Sequence, residues 1–274
     1  MIASESIQEI QGLYASDGAS RPWADNEEHN HILLKEYIGL LVSEDILPKP
    51  ENASGYVVYS PSSNQAFYEH EFARHLDNAI SKLPKNSRKL NKPPLFIAAD
   101  VFGERKLGFV DRILLKLGAQ NRRGRFVPGF SRRRFTGKDL RYVKFGKISA
   151  DAAHIPLLND TVDVVWDRLG ALWHAQDSRI YQTKDGERTM RFYDPGDDLV
   201  KRILGEYERV LKPGGCVVVD AYKLSAFLGT PNSTFDMLNI FSIRVNLREL
   251  GWDVSNFIGE GNSRLAVLKP IQKS

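Results

Sequence analysis

Apolar residues recur along this chain at two spacings, and each spacing predicts its own kind of element. At helical spacing stand Leu33, Leu34, Tyr37, Ile38 and Leu41, then Phe72, Leu76, Ala79, Ile80 and Leu83. Val110, Ile113, Leu114 and Leu117 repeat that pattern, as do Leu199, Val200, Ile203, Leu204, Tyr207, Val210 and Leu211. Between them lie short near-continuous apolar runs, Leu95 to Val101, Val162 to Trp166 and Cys216 to Val219, and Lys144 to Ala150 makes one more strand. Runs without polar alternation predict strands buried on both faces, and their alternation with amphipathic segments predicts a parallel sheet covered by helices. Arg125 to Ser131 is a further predicted strand, and Trp252 to Ile258 and Arg264 to Lys269 are the last two.

Breakers divide these segments. Pro48 and Pro50 end the first helix, Pro84 the second, and Lys212-Pro213-Gly214-Gly215 separates the last long helix from its strand. Gly55 to Ser60 is a candidate short strand, followed by helix-capping residues at Pro61 to Asn64. Asp194-Pro195 opens the helix before Lys212, with the aspartate as cap and the proline in the first turn. Residues 179–193 read as a β-hairpin, because Asp185-Gly186 suits a type I′ turn. The predicted division is a mostly helical N-terminal extension over 1–92 and an α/β domain over 93–274 that carries the hairpin insertion.

Composition narrows the classes. At 42% hydrophobic and 26% charged residues the chain has a globular balance and enough apolar material for a sizeable core. The single cysteine, Cys216, heads an apolar strand, which excludes an internal disulfide and makes it a core residue rather than a nucleophile. His29 and His31, and His70 and His75, share no helical face, so their spacing predicts no metal site. The first residues have neither a basic head nor an apolar run, and no stretch reaches the ~20 apolar residues of a membrane span. A cytoplasmic protein without a membrane partner is the expectation, and oligomeric state is not written in the sequence.

Charge changes the picture more. The chain carries +4 in all, but residues 122–147 hold ten basic side chains against one acid, Asp139. That segment has a charge of +9, leaving −5 for the remainder. A one-sign segment on a near-neutral body fits an anionic partner, nucleic acid included, and equally fits a solvated loop.

Candidate chemistry clusters where apolar runs end. Asp151-Ala152-Ala153-His154-Ile155-Pro156, then Val162-Asp163-Val164-Val165, then a helix closing on Leu211-Lys212-Pro213-Gly214-Gly215 and a strand resemble the second half of a class I S-adenosylmethionine-dependent methyltransferase. The resemblance covers about 94–270 and is strongest from Ile148 onward. It implies a Rossmann-like seven-stranded, mostly parallel sheet with helices on both faces, closed by an antiparallel hairpin. It also implies S-adenosylmethionine as cofactor. On that resemblance Asp100 and Gly103 are what remains of the glycine-rich cofactor loop, with Phe102 at the first glycine and Glu104 and Lys106 near the others. Phe130 and Ser131 end the strand that should offer a carboxylate to the ribose, and offer none. Asp151 and Ala152 read the adenine, flanked by His154 and Ile155.

The string Asp167-Arg168-Leu169-Gly170-Ala171-Leu172 is similar to a loop of thiopurine-type methyltransferases, with one residue more. It implies Asp167 as a residue that borders the cofactor and orients the acceptor or takes its proton, with His174 as partner. An Asp167–Arg168 surface pair and a core-edge His174 are the structural alternatives. The resulting functional expectation is methyl transfer to a small or anionic acceptor. The alternative is a methyltransferase-like domain without catalysis that binds RNA or a protein.

Overall fold

The computed structural model describes residues 27–61, 67–100, 137–168, 171–172, 180–182, 188–190, 198–221, 247–259 and 264–271. In chain order these form α1 (Glu27–Ser43), β1 (Val57–Ser60), α2 (Phe67–Lys82), β2 (Leu95–Asp100), β3 (Lys144–Ser149) and β4 (Val162–Asp167). There follow β5 (Ile180–Gln182), β6 (Arg188–Met190), α3 (Asp198–Val210), β7 (Leu211–Asp220), β8 (Trp252–Ile258) and β9 (Leu265–Pro270). Seven strands make one sheet in the order β3-β2-β1-β4-β7-β9-β8. The pairs β2–β3, β1–β4 and β4–β7 are parallel, whereas β9 runs antiparallel to both β7 and β8. The fold is Rossmann-like: mostly parallel, doubly wound, with an antiparallel close.

The chain divides into two compact units, residues 1–56 with 63–151, and residues 57–62 with 152–274. In the first, α2 buries Phe72, Ala73, Leu76 and Ile80, and α1 buries Leu34, Tyr37 and Leu41. Apart from Ala73, those positions are among the ones the helical period singles out. Asp77, buried on α2, accepts the backbone N–H groups of Arg141, Tyr142 and Val143 at 2.9, 2.6 and 3.0 Å. One carboxylate thereby satisfies three donors just before β3 and fixes that strand's approach.

In the second unit β4 is buried at Val162, Val164, Val165, Trp166 and Asp167, and β7 from Cys216 to Asp220. Val200, Ile203, Leu204, Tyr207 and Val210 form the buried face of α3. Lys212-Pro213-Gly214-Gly215 lies inside β7 rather than ahead of it. Val162 faces Leu211 and Val164 faces Cys216, so the intervening four residues bulge out of the ladder. Gly214 has φ 86°, and a Cβ on Gly215 would sit 2.9 Å from the carbonyl oxygen of Asp163. Both glycines are required by the backbone here.

Two expectations change. Val57–Ser60, assigned by sequence to the N-terminal extension, is a strand of the sheet, placed between β2 and β4. Leu95–Asp100 is therefore the second strand and not the first. It pairs directly with β3 from Leu95↔Lys144 to Asp100↔Ser149, the place expected of Arg125 to Ser131, which lie outside the described residues. Four residues are too few to display a period, which is why β1 gives so weak a signal. The hairpin is present, with Gln182 facing Arg188. The turn itself, Asp185-Gly186 included, lies outside the described residues.

Candidate active site

Strand order reverses between β1 and β4: from β1 the chain moves out to β2 and β3, then returns to the other side of β1. In open α/β sheets ligands bind outside the carboxyl ends of the strands at such a reversal. Both of these strands belong to the second unit, and their carboxyl ends are built from buried polar groups. Ser60 closes β1 and its hydroxyl donates to the carbonyl of Trp166 at 2.8 Å.

Asp167 closes β4 and is 2% exposed. Its Oδ2 accepts from the Tyr207 phenol at 2.8 Å and from the Leu172 N–H at 3.0 Å. A carboxylate without solvent needs such donors. The result ties the strand end, the helical residues 171–172 and α3 to one oxygen. Arg168 next to it accepts through its carbonyl from the Asp220 N–H at 3.3 Å, which joins the exits of β4 and β7. Asp167 is thus held inside, and no surface pair with Arg168 is needed to explain it.

The segment after Asp151 is clamped from α3. Glu206 Oε2 accepts the Ile155 N–H at 2.7 Å. The Arg209 guanidinium donates to the carbonyls of Ile155 and Leu157, both at 2.8 Å, and to Asn159 Oδ1 at 3.0 Å. Arg209 and Glu206 also form a two-pronged pair, at 2.8 and 2.7 Å. That guanidinium, helped by the Ile155 N–H against the opposing effect of burial, holds the Glu206 carboxyl below its usual range. The clamp leaves Ala152 and Ile155 buried and His154 exposed. Asp151 itself is half-buried and closes the first unit.

Of the remaining sequence candidates, Asp100 is the last residue of β2. Phe102, Gly103, Phe130, Ser131 and His174 lie outside the described residues. Among the described residues no group of three or more His, Cys, Asp and Glu could hold a metal ion, and no helix is long and apolar enough to cross a membrane. Sequence reasoning placed Tyr207 on the core face of its helix and missed its hydroxyl's task. A phenol at that position has to find a partner once buried, which is the signal that was there to use. Glu206 and Arg209 were also missed. Three apart on α3, they carry no motif, and their partners are some fifty residues away in sequence.

No family model matches the chain, and no curated protein matches it. Solved structures similar to it include an S-adenosylmethionine-dependent methyltransferase from Aquifex aeolicus, at 15% identity and a TM-score of 0.38, over 82% of this chain and 86% of that one. The antibiotic-resistance methyltransferase Kmr is similar at 12% identity and a TM-score of 0.41, over 82% of this chain and 90% of that one. A methyltransferase from Methanosarcina mazei is similar at 12% identity and a TM-score of 0.37, over 77% and 90%.

Proposed function

We propose that this protein is an S-adenosylmethionine-dependent methyltransferase whose acceptor is small or anionic. The observation that carries the reading is the reversal of strand order between β1 and β4, whose carboxyl ends close on the buried Ser60 and Asp167. The order changes the residue roles drawn from sequence. Asp100 ends the second strand, and in this reading its carboxylate would take the ribose hydroxyls, the task for which Phe130-Ser131 offered no acid. A carboxylate suits it because it accepts two hydrogen bonds at once. Asp151 would accept the adenine amino group and the Ala152 N–H would donate to a ring nitrogen, while Glu206 and Arg209 fix the residues that follow, from Ile155 to Asn159. The donor and acceptor chemistry of these residues fits the cofactor.

Bound there, S-adenosylmethionine supplies an electrophilic methyl group. The chain's own contribution is positioning, which alone lowers the barrier to an in-line transfer substantially. Asp167 is itself positioned by its hydrogen bonds: the Tyr207 hydroxyl and the Leu172 N–H on Oδ2 fix its carboxylate at the end of β4. In this reading Asp167 orients the acceptor or takes its proton, with His174, seven residues on, as its partner.

A thermal-shift series with S-adenosylmethionine and S-adenosylhomocysteine tests the proposal. Ligand at a hundred times its dissociation constant adds about 2.7 kcal/mol of stability. Stabilisation by both, with turnover absent, would instead favour a binding domain without catalysis. One observation favours that second reading. The exit of β1 runs Pro61-Ser62-Ser63-Asn64-Gln65, without the glycines that let a backbone approach a cofactor closely.

A further inference from the structure

A second site lies in the first unit, on the amino side of β3. The chain turns at Gly137–Asp139 and folds back on β3 so tightly that a Cβ on Gly137 would sit 3.0 Å from the Phe145 carbonyl oxygen. Asp77 then fixes Arg141, Tyr142 and Val143 through their N–H groups, and the Lys144 N–H donates to the carbonyl of Pro94 at 2.8 Å. The backbone is therefore preset before any ligand arrives. It borders an open groove of about 570 Å³ whose lining includes Pro93, Leu95 and Leu140 as apolar wall and Lys138, Arg141 and Lys144 as cations. All three cations are exposed.

We propose that this groove binds a short stretch of single-stranded nucleic acid, with Lys138, Arg141 and Lys144 on its phosphates and Tyr142 against a base. Four features carry this. The local charge is predominantly positive: Lys138, Arg141 and Lys144 outnumber Asp139, the sole acid between 137 and 147, whose Oδ1 lies 3.4 Å from His70 Nε2. Tyr142 stands between the guanidiniums of Arg88 and Arg141, which hold its hydroxyl below its ordinary pKa and show that positive charge converges there. The groove is also open at its floor: Gly146 lines it, and a Cβ there would meet nothing within 4 Å.

The fourth feature is size. The volume suits a couple of nucleotides and not a duplex, and an aromatic ring among cations beside an apolar wall is what unpaired bases and their phosphates need. An acidic peptide would meet the cations but leave the ring and the wall unused.

The test is fluorescence anisotropy of a labelled twenty-nucleotide oligouridylate with the full chain, in the absence of any methyl donor. Its outcome is therefore independent of the cofactor reading. Three phosphate contacts give a slope of about −2 in log affinity against log salt, at ~0.7 per contact for single strands. The triple variant Lys138→Gln, Arg141→Gln, Lys144→Gln lowers affinity at least tenfold in 50 mM salt and flattens that slope. Gly146→Phe fills the groove without touching charge, and lowers affinity at least tenfold with the slope retained. Melting curves of both variants should match the wild type, since the changed side chains face solvent or open space. Absence of binding at 50 mM salt overturns the proposal. So does affinity unchanged in both variants, or lost only when Arg132, Arg133 and Arg134 become glutamine. Displacement of the oligonucleotide by polyglutamate at equal charge assigns the groove to acidic peptides and overturns it too.

Discussion

Two aspartates stand at opposite ends of β4 and are held in opposite ways. At the amino end Asp163 Oδ2 accepts from Lys212 Nζ at 2.6 Å and from the Val57 N–H at 2.7 Å, with both charged side chains partly in solvent. At the carboxyl end Asp167 is out of solvent and accepts from the neutral Tyr207 hydroxyl and the Leu172 N–H. An ion pair in contact with water contributes little, because its attraction is screened and two long side chains lose freedom. A buried carboxylate has no water to fall back on, so each lost donor costs more. The strand is fastened loosely where it enters the sheet and rigidly where it leaves, on the side where α/β sheets bind ligands.

Substitutions should widen that contrast or remove it. Asp167→Ala strands the Tyr207 hydroxyl and the Leu172 N–H, and should cost roughly 2–5 kcal/mol in a urea melt. A cost under ~1 kcal/mol would show that the two ends are alike. Tyr207→Phe removes one donor and keeps the ring, so about 1–2 kcal/mol is expected. Lys212→Ala should cost less than ~1 kcal/mol, and less still as salt rises, while Asp163 keeps its bond to Val57. A salt-insensitive loss as large as that of Asp167→Ala would contradict the comparison.

The smallest effect concerns pH in the other unit. His70 is buried between Glu71 and Asp139, each 3.4 Å from a ring nitrogen, and edge-on to Phe145. Burial works to lower its pKa, but the two carboxylates outweigh burial and the net shift is upward. A raised folded-state pKa stabilises fully below the unfolded value of about 6.5 and is lost as pH climbs through the folded value. Wild type should thus lose stability over that window and His70→Gln should not, as denaturant melts on both sides of it would show.

Much of this was legible in the sequence, for physical reasons that vary by element. The face of α3 was plain because five buried positions repeat at one period, and Val162–Trp166 because four of its five residues are apolar. β8 was read to the residue, and β9 to within one. The place of β1 was not legible, since a four-residue strand shows no period and its pairing partners, Val164 and Val165, lie a hundred residues on. On the proposed function, that one strand turns Asp100 from the acid of a glycine loop into the acid at the end of the second strand. Lys212 to Gly215 was read as a stop because proline and glycine usually are one; here they bulge within a strand. The clamp by Glu206 and Arg209 was hidden because both reach backbone groups, which leave no trace in residue type.

Calorimetric titration of the full chain with S-adenosylmethionine tests the central claim most directly, run on wild type, Asp100→Asn, Asp151→Ala and Lys212→Ala. The account predicts that wild type binds and that Asp100→Asn and Asp151→Ala each weaken binding tenfold or more, at 1.4 kcal/mol per tenfold. Lys212→Ala, in β7 beside the amino end of β4, should leave the affinity alone. No heat with wild type, or tight binding untouched by either aspartate change, would contradict it.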